Sequence, residues 1–436
     1  MRLQVGFASS RSGTAELAWG QRDIWGALQQ VGPDSAHYFN VPKVLAVPRA
    51  GGPRSPEVVA AALAEVTGRH DALRSLVRLG ADGPYQEVAA AGTLPVEVAE
   101  AARDEAAGDV AAALADRLAA RSFGDGEQPL RAGFVVRDGA VTHVTLVMSH
   151  VVADWHAAGV VVNDLRTLLL RGAITRPPSS QLLDLVREER AAPARSDRSI
   201  AQWEALLRTV PSAMFPESVR PASTPRYARA VLTSPRLNHA AYVLAARAGV
   251  STATVLLVAV AMLLRELTGH EVAAITPIVH NRFDDRTRDL VTSLNQLGLF
   301  TLGPSGGLAE TVATAYPAVL ASYRRARFDK PAMQAMIDRL SADRGVSVFP
   351  SCCFNDLRPG EDPGAAARAD EESELEWLPG TDKRSCDFCL ALMRRNGTLG
   401  VEVNADTTRL SEGEMEALLH RLESFVVSSA HREPVT

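Results

Sequence analysis

The stretch Met148–Gly159, MSHVVADWHAAG, sets an imidazole, a carboxylate and an indole directly after the aliphatic run VTHVTLVM. A strand end is rigid yet can meet solvent, so it is a favourable place for polar chemistry. His150, with a free pKa of about 6.5, can hold or release a proton near neutral pH and is the first candidate for acid–base work. Taken alone it is equally a satisfied histidine closing a strand, and Asp154 equally a solvated aspartate near a helix start. His143 and His156 read as incidental residues of a strand face and a helix start. A second polar group, His280-Asn281-Arg282, ends the strand-like run VAAITPIV; Asn295 follows in the next segment, and Asn355 and Asp356 follow SVFPSCCF. Turn chemistry explains asparagine and aspartate at such places as readily as binding does.

The elements that must carry these residues can be read from periodicity. TAELAWGQRDIWGALQQ has apolar residues at helical spacing, with Thr14 and Glu16 near its start, and predicts a first amphipathic helix. VPKVLAV reads as a strand; SPEVVAAALAEVTGRH, with Ser55 before Pro56 and Gly68 near the end, reads as a helix. Leu94 to Ala120 is alanine-rich and predicts a long helix or helix pair. RAGFVVRDGAVTHVTLVM predicts a hairpin turning at Asp138-Gly139. WHAAGVVVNDLRTLLLRG then resumes helical spacing, which leaves His150 to Asp154 in a short strand-to-helix connection. The second half predicts helices mixed with strands again, including SVFPSCCF, CDFCLALM, LGVEVNAD and a closing helix from Ser411. EDPGAAARADEESEL reads as an acidic surface loop.

With 436 residues the chain exceeds one ordinary core. The prolines and serines of RGAITRPPSSQ mark a boundary near residues 172 to 180, giving an N-terminal lobe 1–176 and a C-terminal lobe 177–436. A net charge of −5 with no basic stripe argues against a nucleic-acid partner. The N-terminus lacks the apolar stretch of a signal peptide, and STATVLLVAVAMLLRELTG is interrupted by Arg265 and Glu266, so it reads as a core helix and not a membrane span. Four cysteines do not make a disulfide framework, and Cys386-x-x-Cys389 lacks a second spaced pair or nearby histidine ligands. Structural thiols, no metal and a cytoplasmic location are expected.

The order of motifs resembles the condensation-domain family of nonribosomal peptide synthetases. Its His-His-x-x-x-Asp-Gly signature falls on Ser149-His150-Val151-Val152-Ala153-Asp154-Trp155, with serine for the first histidine and tryptophan for the glycine. LAWGQRDIWGAL is similar to the family's opening helix, GRHDALRSLV to its Arg-His-x-x-Leu-Arg motif, VAAITPIVHNR to the strand ending in Asn-Arg, and TSLNQLGLFTL to a variant of Gly-x-Phe-x-Asn-Thr. AQWEALL, RARFDKPAMQAMIDRL and the terminal CDFCLALMRRNGTLGVEVNADTTRL keep the order, so the likeness covers essentially the whole chain.

The resemblance implies an α/β fold of two chloramphenicol-acetyltransferase-like lobes, a V-shaped pseudo-dimer with a central tunnel. It implies condensation: attack of an amine or alcohol on a thioester, with His150 as the catalytic residue. Asp154 then serves architecture, and Arg74 is expected to be its buried cationic partner. Ser149, Trp155, Asn281, Asn295 and Asn355 are expected to line the tunnel. Glycine at position 155 would let a substrate approach, so the indole either packs on an unusual substrate or obstructs it. The chain is expected to bind no cofactor itself. Partner carrier proteins, acting in trans, would deliver the donor on a phosphopantetheine arm to a small-molecule or carrier-bound acceptor, with the enzyme a monomer. Two alternatives stay open: a degenerate module that recruits a partner, and an acyltransferase that uses CoA thioesters.

Overall fold

A computed structural model of the chain describes residues 2–81, 83–215, 220–358, 360, 371–382 and 386–431. Two compact units emerge, Met1–Pro193 with His280–Asn295, and Ala194–Val279 with Gln296–Thr436. The division therefore falls after Pro193 and not after Arg176, and the first unit takes back the segment 280–295 from the second half of the sequence.

The first unit contains β1 (Arg2–Ala8), β2 (Gly13–Glu16), α1 (Trp19–Val31), β3 (Val41–Ala46), α2 (Pro56–Arg69), β4 (Ser75–Gly80), β5 (Gly83–Val88), β6 (Ala91–Glu100), α3 (Ala107–Ala119), β7 (Leu130–Arg137), β8 (Ala140–Met148), α4 (Trp155–Arg171) and α5 (Leu182–Ala191). Five strands form a sheet in the order β1-β6-β7-β8-β3, and β2, β5 and β4 form a small second sheet. Side chains alternate across a strand, and β8 shows what that does. Val144, Leu146 and Met148 enter the core shared with α2 and α4, while Val147 joins the smaller cluster under α3. Because β8 is packed on both faces, the chain leaving it at Ser149 starts from a fixed point.

Two sequence expectations are corrected here. Thr14 to Glu16 do not open a helix; they pair antiparallel with Tyr85 to Glu87, and α1 begins only at Trp19. Leu94 to Glu100 is strand β6, paired with β1 and parallel to β7, so the alanine-rich helix is confined to α3. In β6 the burial of Leu94 and Val96 follows a period of two, which overrides the helical propensity of the surrounding alanines. The hairpin turn forms where expected, with Asp138 and Gly139 both at positive φ (48° and 78°).

The second unit contains α6 (Pro193–Leu207), β9 (Tyr227–Thr233), α7 (Pro235–Ala248), α8 (Thr252–Thr268), β10 (Ala273–Val279), β11 (Gln296–Leu297), β12 (Phe300–Leu302), α9 (Leu308–Arg324), α10 (Lys330–Arg344), β13 (Cys352–Asp356), β14 (Glu374–Thr381), β15 (Phe388–Arg395), β16 (Thr398–Asp406) and α11 (Glu412–His431). Its sheet runs β11-β10-β13-β15-β16-β9-β14, with β12 beside β10. Helix α8 is buried from Val255 to Leu264, as a core helix should be. Among the described residues no single helix is long and apolar enough to cross a membrane; α7 and α8 reach that threshold only together, bent by 104°. Most of the acidic stretch expected as a loop, residues 361–370, lies outside the described residues.

The expectation of four structural thiols is also corrected. Cys353 and Cys386 form a disulfide, with Cα atoms 6.6 Å apart. Parallel pairing of β13 with β15 sets Cys353 beside Cys389, which brings Cys386, two residues before β15, within bridging reach. Cys352 and Cys389 carry no disulfide.

Candidate active site

The site is built on the connection from Ser149 to Asp154. The Ser149 N–H donates to Pro129 O, and the Ser149 carbonyl accepts from the N–H groups of Val152 and Ala153, so the chain turns at once after β8. Val151, Val152 and Ala153 are buried and act as pegs beneath the turn. Asp154 then caps α4: its Oδ1 accepts from the Ala157 N–H at 2.8 Å, satisfying one of the donors that a helix start leaves unpaired.

The other carboxylate oxygen of Asp154 decides the architecture. Oδ2 accepts from Arg282 Nη1 at 2.7 Å and from the Leu294 N–H at 3.0 Å. The expected Asp154–Arg74 pair does not form. Arg74 is fully buried and pairs with Asp71 at 3.0 Å, one turn earlier in the chain, and donates to the carbonyls of Arg11 and Ala89. Arg74 thus finds its counter-ion three residues away, in a carboxylate it shares with Arg11. Arg282 meets Asp154 instead, and its two terminal nitrogens also donate to the carbonyls of His280, Leu290 and Thr292, while its Nε has no hydrogen-bond partner among the described residues. Burial works against ionisation of Asp154, but the charge and hydrogen bond of Arg282, with the two backbone N–H groups, outweigh it and hold the carboxyl below its ordinary range.

This ion pair ties segment 280–295 to the His150 loop. Asn281, at φ 55°, donates through Nδ2 to Leu294 O at 2.8 Å and so braces that segment. Asparagine tolerates this left-handed backbone better than most residues. Gly20 of α1 completes the packing: a Cβ there would lie 2.4 Å from Ser293 O, so only glycine lets the helix approach this close.

Segment 280–295 delivers Ser293 to His150. The Ser293 hydroxyl donates to the His150 backbone carbonyl. The same Oγ lies 3.3 Å from His150 Nδ1. A hydroxyl has one proton, and here it is given to the carbonyl, so toward Nδ1 the oxygen acts as acceptor. The imidazole is thereby assigned its proton on Nδ1, with the lone pair on Nε2. Burial lowers the His150 pKa below its ordinary value, against the opposing charge of Asp154 and the backbone hydrogen bonds around Ala153. The ring is therefore neutral at pH 7 and has a basic nitrogen. Phe39 lies beside it, ring centroids 6.3 Å apart.

The other expected site residues are distributed unevenly. Trp155 is the first residue of α4, 47% exposed, with the Lys43 ammonium 2.9 Å from its ring centroid. Asn295 is half-buried, and its Oδ1 has no hydrogen-bond partner among the described residues. Asn355 belongs to the second unit, half-buried on β13. His156, read from sequence as incidental, stacks on His280 at 6.2 Å and meets Arg288 O at 3.0 Å. Both histidines are held below their ordinary pKa, first by burial and then by Arg282. Sequence reading missed Ser293 altogether. Its one signal is its place two residues before Asn295 in the segment likened to Gly-x-Phe-x-Asn-Thr, where a hydroxyl stands in place of the phenylalanine.

Comparison with known proteins places this geometry in context. The chain is 28% identical over 383 residues to chondramide synthase cmdD of Chondromyces crocatus, a match covering 84% of this chain and 9% of that synthase. It thus spans a small fraction of the curated relative's length. Among solved structures it superposes with a TM-score of 0.77, at 20% identity, on a structure described as the basis of condensation domain-mediated chain release from the enacyloxin polyketide synthase; 98% of this chain and 85% of that one are covered. The epimerization domain from the third module of tyrocidine synthetase B matches with a TM-score of 0.72 at 13% identity, covering 97% of this chain and 98% of that one. The fold is therefore the chloramphenicol-acetyltransferase-like α/β fold shared by condensation domains and by an epimerization domain. The family model described as Condensation domain matches residues 12–431, and the chain belongs to that family.

Proposed function

We propose that this chain is an acyltransferase that forms an amide, or an ester, by attack of an amine or alcohol on an acyl or aminoacyl thioester delivered by a carrier protein on its phosphopantetheine arm. The observation that carries this reading is the placement of His150, half-buried at the end of a rigid strand with Nδ1 3.3 Å from Ser293 Oγ; burial lowers its pKa, which favours a neutral ring able to take a proton at Nε2. Attack on the thioester carbonyl forms the new C–N or C–O bond and breaks the C–S bond. The nucleophile's proton passes to His150 Nε2 and from there to the departing thiolate, so the ring ends as it began. Ser293 and Asp154 are positioning residues; the first fixes the tautomer, and the second holds the loop through Arg282 and the α4 start. Asn295, whose oxygen has no partner among the described residues, is a further candidate for a substrate contact.

The test is product formation, followed by intact mass spectrometry, with acyl-loaded carrier proteins encoded beside this chain. His150→Ala is expected to fold as the parent does and to lose roughly 10²- to 10⁴-fold in turnover. Equal product from parent and variant would remove His150 from the chemistry. Stable binding of a carrier or partner enzyme, with no product from any loaded carrier, would favour a recruiting module instead.

A further inference from the structure

Lys43 occupies a position that the fold otherwise reserves for apolar residues. On β3, residues at alternate positions share a face, and the neighbours of Lys43 on that face, Val41 and Leu45, are buried in the core shared with α4. The lysine stem follows them, and its ammonium ends over the ring of Trp155. Among the described residues no carboxylate pairs with it, whereas Arg69, Arg74 and Arg282 of the same unit each pair with one. The indole offers the negative face of its π system, which attracts a cation but does not neutralise it. Lys43 registers opposite Leu146 on β8, and Trp155 follows Asp154 directly. The two side chains therefore bridge β3, the strand paired with β8, and the helix that follows the His150 loop, with the indole half open to solvent.

We propose that Lys43 and Trp155 form a recognition subsite for an oxyanion carried by a substrate of His150, a carboxylate on the acceptor or the phosphate of the donor's pantetheine arm. The ammonium supplies the ion pair and the indole a flat surface beside it. This rests on the condensation reading and adds to it the class of substrate: one that carries an acidic group, on the acceptor or on the donor's arm. It also gives Trp155 a part to play where the family pattern has glycine.

Burial pushes the Lys43 pKa down to about 8. The elements packed on β3 are β8, α3 and α4. They bring His143, Asp109, Asp116, Arg117, His156, Asp164, Arg166 and Arg171, none of which contributes to that shift. A bound anion would favour the charged amine, so binding takes up protons near pH 8, and anion affinity falls as pH rises through that value.

The experiment is calorimetric binding of two matched pairs to the whole chain: pantetheine 4′-phosphate against pantetheine, and L-phenylalanine against L-phenylalaninamide. At pH 7 the anionic member of one pair is expected to bind about tenfold tighter, and which pair does so identifies the source of the oxyanion. Lys43→Gln should erase the preference, Lys43→Arg should retain it, and raising the pH from 7 to 9 should shrink it in the parent. His150→Ala should leave it intact, which separates this subsite from the chemistry. No preference in either pair, or a preference that survives Lys43→Gln in a folded variant, overturns the proposal while leaving condensation standing. A preference in a protein that makes no product from any loaded carrier supports the subsite and refutes the condensation reading alone.

Discussion

Replacing Asp154 by alanine tests the architecture of the site most directly. The Arg282 side chain is 1% exposed, and without Asp154 its charge is stranded, a situation that costs about 3–5 kcal/mol. Losing the cap on Ala157 costs about 1 kcal/mol, and leaving the buried Leu294 N–H unpaired costs about 1–3 kcal/mol. These terms share one site and do not add. Three backbone carbonyls also continue to accept from Arg282. A net loss of about 4 kcal/mol is expected in urea unfolding at pH 7. Asp154→Asn keeps one acceptor oxygen, for the cap on Ala157 or for the Leu294 N–H but not both, and should lose about 3 kcal/mol. A double-mutant cycle of Asp154→Asn with Arg282→Met should then show coupling of about 2 kcal/mol. The same cycle with Arg74→Met should be additive within about 0.5 kcal/mol, because Arg74's ion pair is with Asp71 and that of Asp154 is with Arg282. Asp154→Ala unfolding within about 1 kcal/mol of the parent, or Arg74 coupling to Asp154 as strongly as Arg282 does, would refute this account.

Two further outcomes follow from the same geometry. Ser293→Ala removes the acceptor that holds the proton on His150 Nδ1; kcat should fall by about 2- to 10-fold, the value of one hydrogen bond, and the ¹⁵N shifts of the His150 ring should move toward a tautomer mixture, whereas unchanged shifts would show that the hydroxyl does not set the tautomer. Burial holds His150, His156 and His280 below the ordinary histidine value, so each folded pKa lies under its unfolded value of about 6.5. Between the two values the unfolded chain binds more protons, and stability rises with pH. The urea midpoint should accordingly drop as pH is lowered from 7 to 5.5, and the acid limb of kcat/KM should lie below 6.5; a flat midpoint, or an acid limb above 6.5, contradicts the lowered pKa values.

What the sequence determined by itself is local. The β7–β8 hairpin follows from Asp138-Gly139, two residues able to adopt positive φ between apolar runs. The start of α4 follows from an aspartate before a helical period, and the place of His150 follows from lying between the two. Each signal acts over a few residues, where backbone geometry and short-range hydrogen bonds dominate. The tertiary structure decided what depends on distant partners. Asp154 needed a cation, and the sequence pointed to Arg74 in its motif, while Arg282 was visible only as part of another polar group. Only the fold shows that Arg74 pairs with Asp71 within its own turn and that Arg282, 128 residues away, closes the site and brings Ser293 to His150 with it. Likewise β6 and β2 are strands because β1, β7 and β5 offer them paired edges, and an alanine-rich or polar segment has no intrinsic preference strong enough to refuse. Burial makes an unpaired charge or an unpaired backbone group costly, and which groups are buried together is a property of the packed chain, not of spacing along it.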